Sequence, residues 1–267
     1  MNADRPRRPP VDRVTLAALP DWDVEVVEES PSTNGALAAR ARDGAREGLV
    51  LVTEHQTAGR GRLDRTWVTP PRAALTFSVL LRPAVEDRRW PWLPLLTGVA
   101  VVEAVRAAGG PPCSLKWPND VLVDGRKVAG LLAERVEGGG APAAVLGIGL
   151  NVAQDQDELP VATATSLAAE GVVLDRTALL VELLGALRRW CSSWSAAGGD
   201  PVACELAAAY QEACVTVGQE VRVLLPSGAP LEGRAVAVDA DGALLVDVGD
   251  RRVAVNAGDV VHVRPAR

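Results

Sequence analysis

The sequence predicts an α+β fold: a main domain in which strands and helices alternate, followed by a small β-barrel. Three observations carry this. LVLVTE (49–54), AALTFSVLLRP (73–83) and AAVLGIGLNV (143–152) have the length and apolarity of buried strands, the last fitting a sheet centre. Residues 93–110 and 175–195 show helical periodicity, and the first of these stops at glycine. From Val215 the texture changes to short alternating strands with tight turns at Ser227-Gly228 and Asp241-Gly242.

In chain order, residues 1–20 are rich in proline and arginine and read as a mobile tail. VEVV (24–27) is a short strand. Ser30, Ser32 and Thr33 offer N-cap oxygens to a helix that stops near Asp43-Gly44. EHQTAGRGRLDRTW (54–67) is the loop after the second strand. SLKW precedes a hairpin, VLV and VAGLLAERV around the turn Asp124-Gly125. GGGAP (138–142) is a hairpin loop, and a last helix spans about 201–212. The expected division is a tail (1–20), a main domain (21–214) and a barrel (215–267), the barrel near the lower size limit for folding alone.

The 267 residues, 48% hydrophobic and 23% charged, are ordinary globular composition. No apolar run approaches the ~18 residues that span a bilayer, and no apolar stretch follows the charged N-terminus, so neither membrane nor secretion is indicated. Cys113, Cys191, Cys204 and Cys214 have no metal-type spacing and read as reduced cytoplasmic thiols. Two histidines leave little material for a zinc site or a Ser-His-Asp triad, and a net charge of −6 disfavours bulk nucleic-acid binding. Of 28 lysines and arginines only Lys116 and Lys127 are lysine, and the two lie within a stretch of twelve residues. An ammonium retained under such a bias points to a task that the bulkier guanidinium serves poorly.

Three segments can carry chemistry. GRGRLD lacks the third glycine of a dinucleotide fingerprint. It leaves Arg60, Arg62 and Arg65 on a glycine-softened loop suited to carboxylate or phosphate, with Trp67 able to cover a flat base. A solvated basic loop or a local RNA contact fits the same residues. In KWPNDVLVDGRK, Pro118 stiffens a turn that aims Lys116, Asn119 and Asp120, and Lys127 returns toward it. The group suits a phosphorylated ligand with Mg²⁺, or equally a surface hairpin with a salt bridge. In SPSTN the hydroxyls either cap the helix or, with Asn34 and the positive helix end, read a small polar ligand.

With these residues in view the sequence resembles the biotin–protein ligases, also called biotin–[acetyl-CoA-carboxylase] ligases. The resemblance rests on STN (32–34), E-x-Q-x-AGRGR (54–62), KWPND (116–120), RKVAGLL (126–132) and GIGLNV (147–152), in family order over about 120 residues. It implies a mixed β-sheet flanked by helices, like the class II aminoacyl-tRNA synthetases, with a small C-terminal SH3-like barrel. It implies Mg·ATP-dependent activation of biotin to biotinyl-5′-AMP, then transfer to a lysine of a carboxylase's biotin carrier domain.

By the same resemblance Ser32, Thr33, Asn34 and Gln56 contact biotin's ureido ring. Gly59, Arg60, Gly61 and Arg62 belong to a loop over biotin and the adenylate, Arg65 lies near the phosphates and Trp67 beside adenine. Lys127, with Gly130 beside it, bridges biotin's carboxylate and the α-phosphate; Asp120 orients or deprotonates the incoming lysine. Lys116, Asn119 and Asn151 are nucleotide-side residues. No metal site of the protein's own is implied, Mg²⁺ travelling on ATP. Asp64 stands where the family has glycine. About 20 residues before the first strand are too few for the helix-turn-helix of some relatives, so no nucleic-acid partner is expected, and the chain is expected to be a monomer or weak homodimer. A lipoate or octanoate ligase with an apolar acyl tunnel, and a non-catalytic biotin- or nucleotide-binding regulator, are the rival readings.

Overall fold

A computed structural model describes residues 8–63, 65–225 and 229–262. Helix α1 (Arg13–Ala17) leads into β1 (Asp23–Ser30), α2 (Thr33–Arg42) and β2 (Leu49–Gln56). A small ribbon, β3 (Gly59–Arg60) and β4 (Thr66–Trp67), precedes β5 (Ala74–Leu81) and the long α3 (Trp92–Ala107). Then come β6 (Ser114–Lys116), β7 (Asp120–Val123), β8 (Arg126–Val136), β9 (Ala143–Asn151), α4 (Arg176–Ala196) and α5 (Leu206–Ala213). The last part is β10 (Glu220–Leu224), β11 (Leu231–Val238), β12 (Leu244–Val248), β13 (Arg251–Val255) and β14 (Asp259–His262).

The main sheet has the order β1-β2-β5-β9-β8-β7-β6. Only β1 and β2 run parallel, so the sheet is mixed. Apolar on both faces, β9 lies fourth of the seven strands, as its composition predicts. Helix α2 covers one face through Leu37, Ala38 and Ala41, which pack on Leu49, Leu51, Leu80 and Val145. Helices α3 and α4 cover the other face and pack on each other. Among the described residues no helix is long and apolar enough to cross a membrane.

Three sequence expectations change. Residues 8–20 are not a mobile tail: Val11 and Leu16 are buried, and Arg8 pairs with Glu158. A buried pair, Glu54 and Arg176 at 2.7 Å, clasps this strap by accepting Val11 N–H and donating to Pro9 O. Residues 1–7 lie outside the described residues. The arginine loop is not wholly irregular, since β3 and β4 pair through Gly59↔Trp67 and Arg60↔Thr66. The helix expected from 201 begins at Leu206, after Glu205 takes a left-handed φ of 62°.

Strands β10 to β14 form a second, antiparallel sheet ordered β13-β12-β11-β10-β14. Strands β13 and β14 are its edges, with no pairing between them among the described residues. The expected turn at Ser227-Gly228 lies outside those residues. The two sheets share one core. Trp92 and Trp117 reach from the main part to the β11–β12 turn, their indole N–H groups donating to Ala240 O (3.0 Å) and Gly242 O (3.1 Å). Gly242 has φ 84° and would press a side chain on Pro91, so glycine is needed there.

Candidate active site

A cavity opens on the face of β8 and β9, between the start of α2 and the β3–β4 ribbon. Its floor explains the GIGLNV pattern. A Cβ on Gly147 would stand 2.3 Å from Asn34 Oδ1, and one on Gly149 2.4 Å from Trp67 Cε2. Neither glycine has positive φ, so close approach of these two side chains is what requires them.

The α2 end is polar and tightly connected. Ser32 caps the helix by accepting from Gly35 N–H at 3.2 Å. Asn34, 4% exposed, commits both amide hydrogens, one to Leu132 O (3.2 Å) and one to Glu134 Oε2 (2.7 Å). Ser78 Oγ, on β5, lies 2.6 Å from Asn34 Oδ1 and 2.7 Å from Thr33 Oγ1. Thr33 N–H donates to Gln56 Oε1 at 3.0 Å. This network fixes which way each amide points, and the positive end of α2 faces the same cavity.

The opposite end is charged. Asp124 and Gly125, with φ 47° and 75°, form the tight turn that folds β8 back on β7. The register then slips, Val121 facing Ala129 but Leu122 facing Lys127, which makes Val128 a bulge. The bulge brings the Lys127 stem over Gly130, where a Cβ would stand 3.0 Å from Lys127 Cε. The ammonium reaches Asp120 Oδ1 at 2.5 Å and lies 5.9 Å from the Trp67 ring centroid. Backbone bonds from Lys127 N to Thr163 O (2.7 Å) and from Thr165 N to Lys127 O (2.8 Å) hold its base. Arg62 donates to Gly258 O at 3.3 Å and Arg65 pairs with Asp259, so the second sheet supplies one wall. Burial pulls the Arg62 guanidinium below its ordinary range, Asp259 and Asp120 opposing that shift and Arg65 adding to it. It stays charged.

Of the residues singled out in the sequence, Ser32, Thr33, Asn34 and Gln56 line the polar end. Arg60, Gly61, Arg62, Arg65, Trp67, Asn119, Asp120, Lys127 and Gly130 line the rest. Gly59 lies just behind, where a Cβ would stand 2.3 Å from Trp67 O; its absence lets the ribbon close. Asn119 also ties β7 to β8 by donating to Leu131 O at 2.9 Å. Two others do not line the cavity. Lys116 is on the outermost strand of the main sheet, opposite Asp120 in register and close to His262. Asn151 is buried below the site, donating to Thr165 O at 2.9 Å and accepting from Gln154 at 2.7 Å. It thereby supports the segment that holds the Lys127 backbone. Asp64 lies outside the described residues.

Sequence reasoning missed Gly147 and Gly149 as floor, Ser78 and Glu134 as polar supports, and Asp259. A Gly-x-Gly inside an otherwise apolar strand was the signal available for the floor; Asp259 had none. Among the described residues no cluster of His, Cys, Asp and Glu is placed to hold a metal ion. Burial pushes the Cys113 and Cys191 thiols up to about 12, out of nucleophile range.

The chain matches the Biotin/lipoate A/B protein ligase family model over residues 26–151 and the Biotin protein ligase C terminal domain model over residues 216–263. It is 43% identical over 274 aligned residues to a biotin--[acetyl-CoA-carboxylase] ligase of Mycobacterium tuberculosis, covering 98% of this chain and 99% of that one. It is 30% identical over 235 residues to the bifunctional ligase/repressor BirA of Bacillus subtilis, covering 86% of this chain and 70% of the relative. A biotin protein ligase from Aquifex aeolicus, solved in complex with biotin and ATP, superposes with a TM-score of 0.75 at 28% identity, covering 90% of this chain and 98% of that one. Identity sustained almost end to end, two family models on the two sheets and a shared fold leave one assignment: the chain belongs to the biotin protein ligase family.

Proposed function

We propose that this protein is an ATP-dependent biotin–[acetyl-CoA-carboxylase] ligase in which one cavity serves both half-reactions. A single observation carries the reading. The cavity joins a fixed hydrogen-bonding end, built by Thr33, Asn34, Gln56 and Ser78, to a cationic end built by Lys127, Arg62 and Arg65. A small head group with both donors and acceptors fits the first end. A carboxylate meeting a phosphate fits the second.

In the first step an oxygen of biotin's carboxylate attacks the α-phosphorus of Mg·ATP, and pyrophosphate leaves. Lys127 bridges the two reacting groups and offsets the charge that gathers between them, while Arg62 and Arg65 hold the phosphates. Trp67, packed across Gly130 and Gly149, walls the site against water, which would hydrolyse the mixed anhydride. In the second step the amine of a carrier-domain lysine attacks the biotinyl carbonyl and AMP leaves. Asp120, no longer paired once Lys127 turns to the ligand, takes the amine's proton. The free thiols suit a reducing cytoplasm.

A lipoate or octanoate ligase calls for an apolar tunnel, and the polar α2 end argues against it. The test is ATP–pyrophosphate exchange with biotin, with lipoate and with neither. Exchange with biotin alone is the expected result. Exchange with lipoate would move the chain to the sister activity, and no exchange would leave a binding protein.

A further inference from the structure

We infer that Glu134, which does not line the cavity, couples occupancy of its polar end to ordering of the arginine loop. Glu134 is a positioning residue, and its role rests on the assignment of the cavity to biotin. The carboxylate, on β8, accepts Asn34 Nδ2–H at Oε2 (2.7 Å). Arg60 Nη2 stands 3.3 Å from the same oxygen and 3.2 Å from Oε1. One group therefore serves a residue of the polar floor and a residue of the loop above it.

Those two partners differ in freedom. Asn34 is buried and held at three of its four hydrogen-bonding positions, by Leu132, Glu134 and Ser78. The Arg60 side chain is 53% exposed and sits on a two-residue strand flanked by Gly59 and Gly61. An exposed ion pair alone orders a loop weakly, because two long side chains must be immobilised for a screened attraction. Here the buried amide already aims the carboxylate, so Arg60 meets an oriented acceptor. A ligand donating to the remaining lone pair of Asn34 Oδ1 holds the amide in place, keeps the Glu134 carboxylate aimed at Arg60 and tightens the loop. By reciprocity an ordered Arg60 favours that ligand.

Trypsin cleaves after Arg62 and Arg65, so protection of this segment by biotin reports loop ordering without catalysis. Protection of the wild-type protein by biotin is the expected result. Glu134→Gln, at biotin concentrations saturating each protein, loses most of that protection, and its KM for biotin in pyrophosphate exchange rises about tenfold, the scale of one charge-assisted hydrogen bond. Its KM for ATP is unchanged. Arg60→Gln behaves alike, and the double variant is no worse than either single one. Glu134→Asp, which keeps the charge but withdraws it from Arg60, loses protection too and guards against misfolding of the glutamine variant. Full protection in the Glu134 variants, or additive losses in the double variant, overturns the coupling. Wild-type protein with neither biotin protection nor biotin-dependent exchange would instead remove the underlying assignment, and the coupling with it.

Discussion

Lys127 Nζ and Asp120 Oδ1 stand 2.5 Å apart across the β7–β8 hairpin, so the residue proposed for the first half-reaction neutralises the residue proposed for the second. The pair gives the site an order of events. While Lys127 is held by Asp120 neither group is available, and an arriving carboxylate or phosphate releases both at once. The exposure of the two side chains, 34% and 22%, leaves the pair partly solvated, which keeps such an exchange cheap.

Lys127→Ala removes the ammonium from a half-exposed hairpin position that contributes little to the core. The expected loss in biotin-dependent pyrophosphate exchange is at least about 100-fold, the scale of one charge-stabilising group, with the thermal midpoint nearly unchanged. Lys127→Arg should fail almost as badly, since the stem runs close over Gly130 and a longer, planar fork cannot place a point charge where the ammonium stands. Near-normal exchange in either variant would sink the assignment.

Gly147→Ala and Gly149→Ala separate site from scaffold. Neither glycine has a positive φ, and the nearest neighbours of an added methyl are Asn34 and Trp67. The variants should keep wild-type circular dichroism. Gly147→Ala should raise KM for biotin by displacing Asn34, and Gly149→Ala should speed hydrolysis of the bound adenylate by displacing Trp67. Kinetics unchanged in both would mean that the floor plays no part in binding.

Asp259 is the contribution of the second sheet. Among the described residues four cationic side chains, Arg60, Arg62, Arg65 and Lys127, line the cavity against two carboxylates, Asp120 and Asp259. Asp259→Asn should raise the positive potential and free Arg65 for phosphate, so biotinyl-5′-AMP should dissociate about fivefold more slowly, on the scale of ~1 kcal/mol for one partly solvated charge. Dissociation rates of labelled adenylate decide this. Faster loss would make Asp259 an anchor for the loop instead of a brake on retention.

The buried strands, the hairpin turn and the α2 cap were legible because each is written in a few adjacent residues. LVLVTE and GIGLNV announce buried strands by composition, Asp124-Gly125 announces its turn, and Ser32 sits three residues before the N–H it caps. What stayed illegible depends on distant chain segments meeting. Nothing in DVVHV says that Asp259 faces Arg65, and nothing in the proline-rich start says that Glu54 and Arg176 hold it down. The bulge at Val128 was hidden for another reason: an alternating strand reads the same with one residue inserted, and only the partner's register reveals the slip.

Glu54 shares a motif with Gln56, yet its side chain lies away from the cavity, in the clasp on the N-terminal strap. Glu54→Gln should therefore act on stability. An uncompensated Arg176 in a buried site costs about 3 kcal/mol, which for a chain of this size lowers the melting temperature by roughly 6–12 °C. KM for biotin should stay at the wild-type value. A raised KM with an unchanged melting temperature would place Glu54 in the binding machinery instead.

His262 ties the second sheet to the KWPND strand. Its Nε2 lies 3.2 Å from the Thr216 hydroxyl oxygen, which in turn accepts the Trp117 N–H at 3.0 Å. Burial holds the imidazole below its ordinary 6.5, and the Lys116 ammonium pushes in the same direction. Because the folded value is the lower one, the unfolded chain binds the proton more readily. Stability from this contact is complete above about pH 6.5 and is lost as pH falls through the folded value. The melting temperature should drop more steeply below that pH in the wild-type protein than in His262→Gln, whose side-chain oxygen still accepts from Thr216 but does not titrate. Parallel melting curves for the two proteins between neutral and mildly acid pH would show that His262 does not govern the junction, and the acid sensitivity of the sheet contact would then fall to its carboxylates.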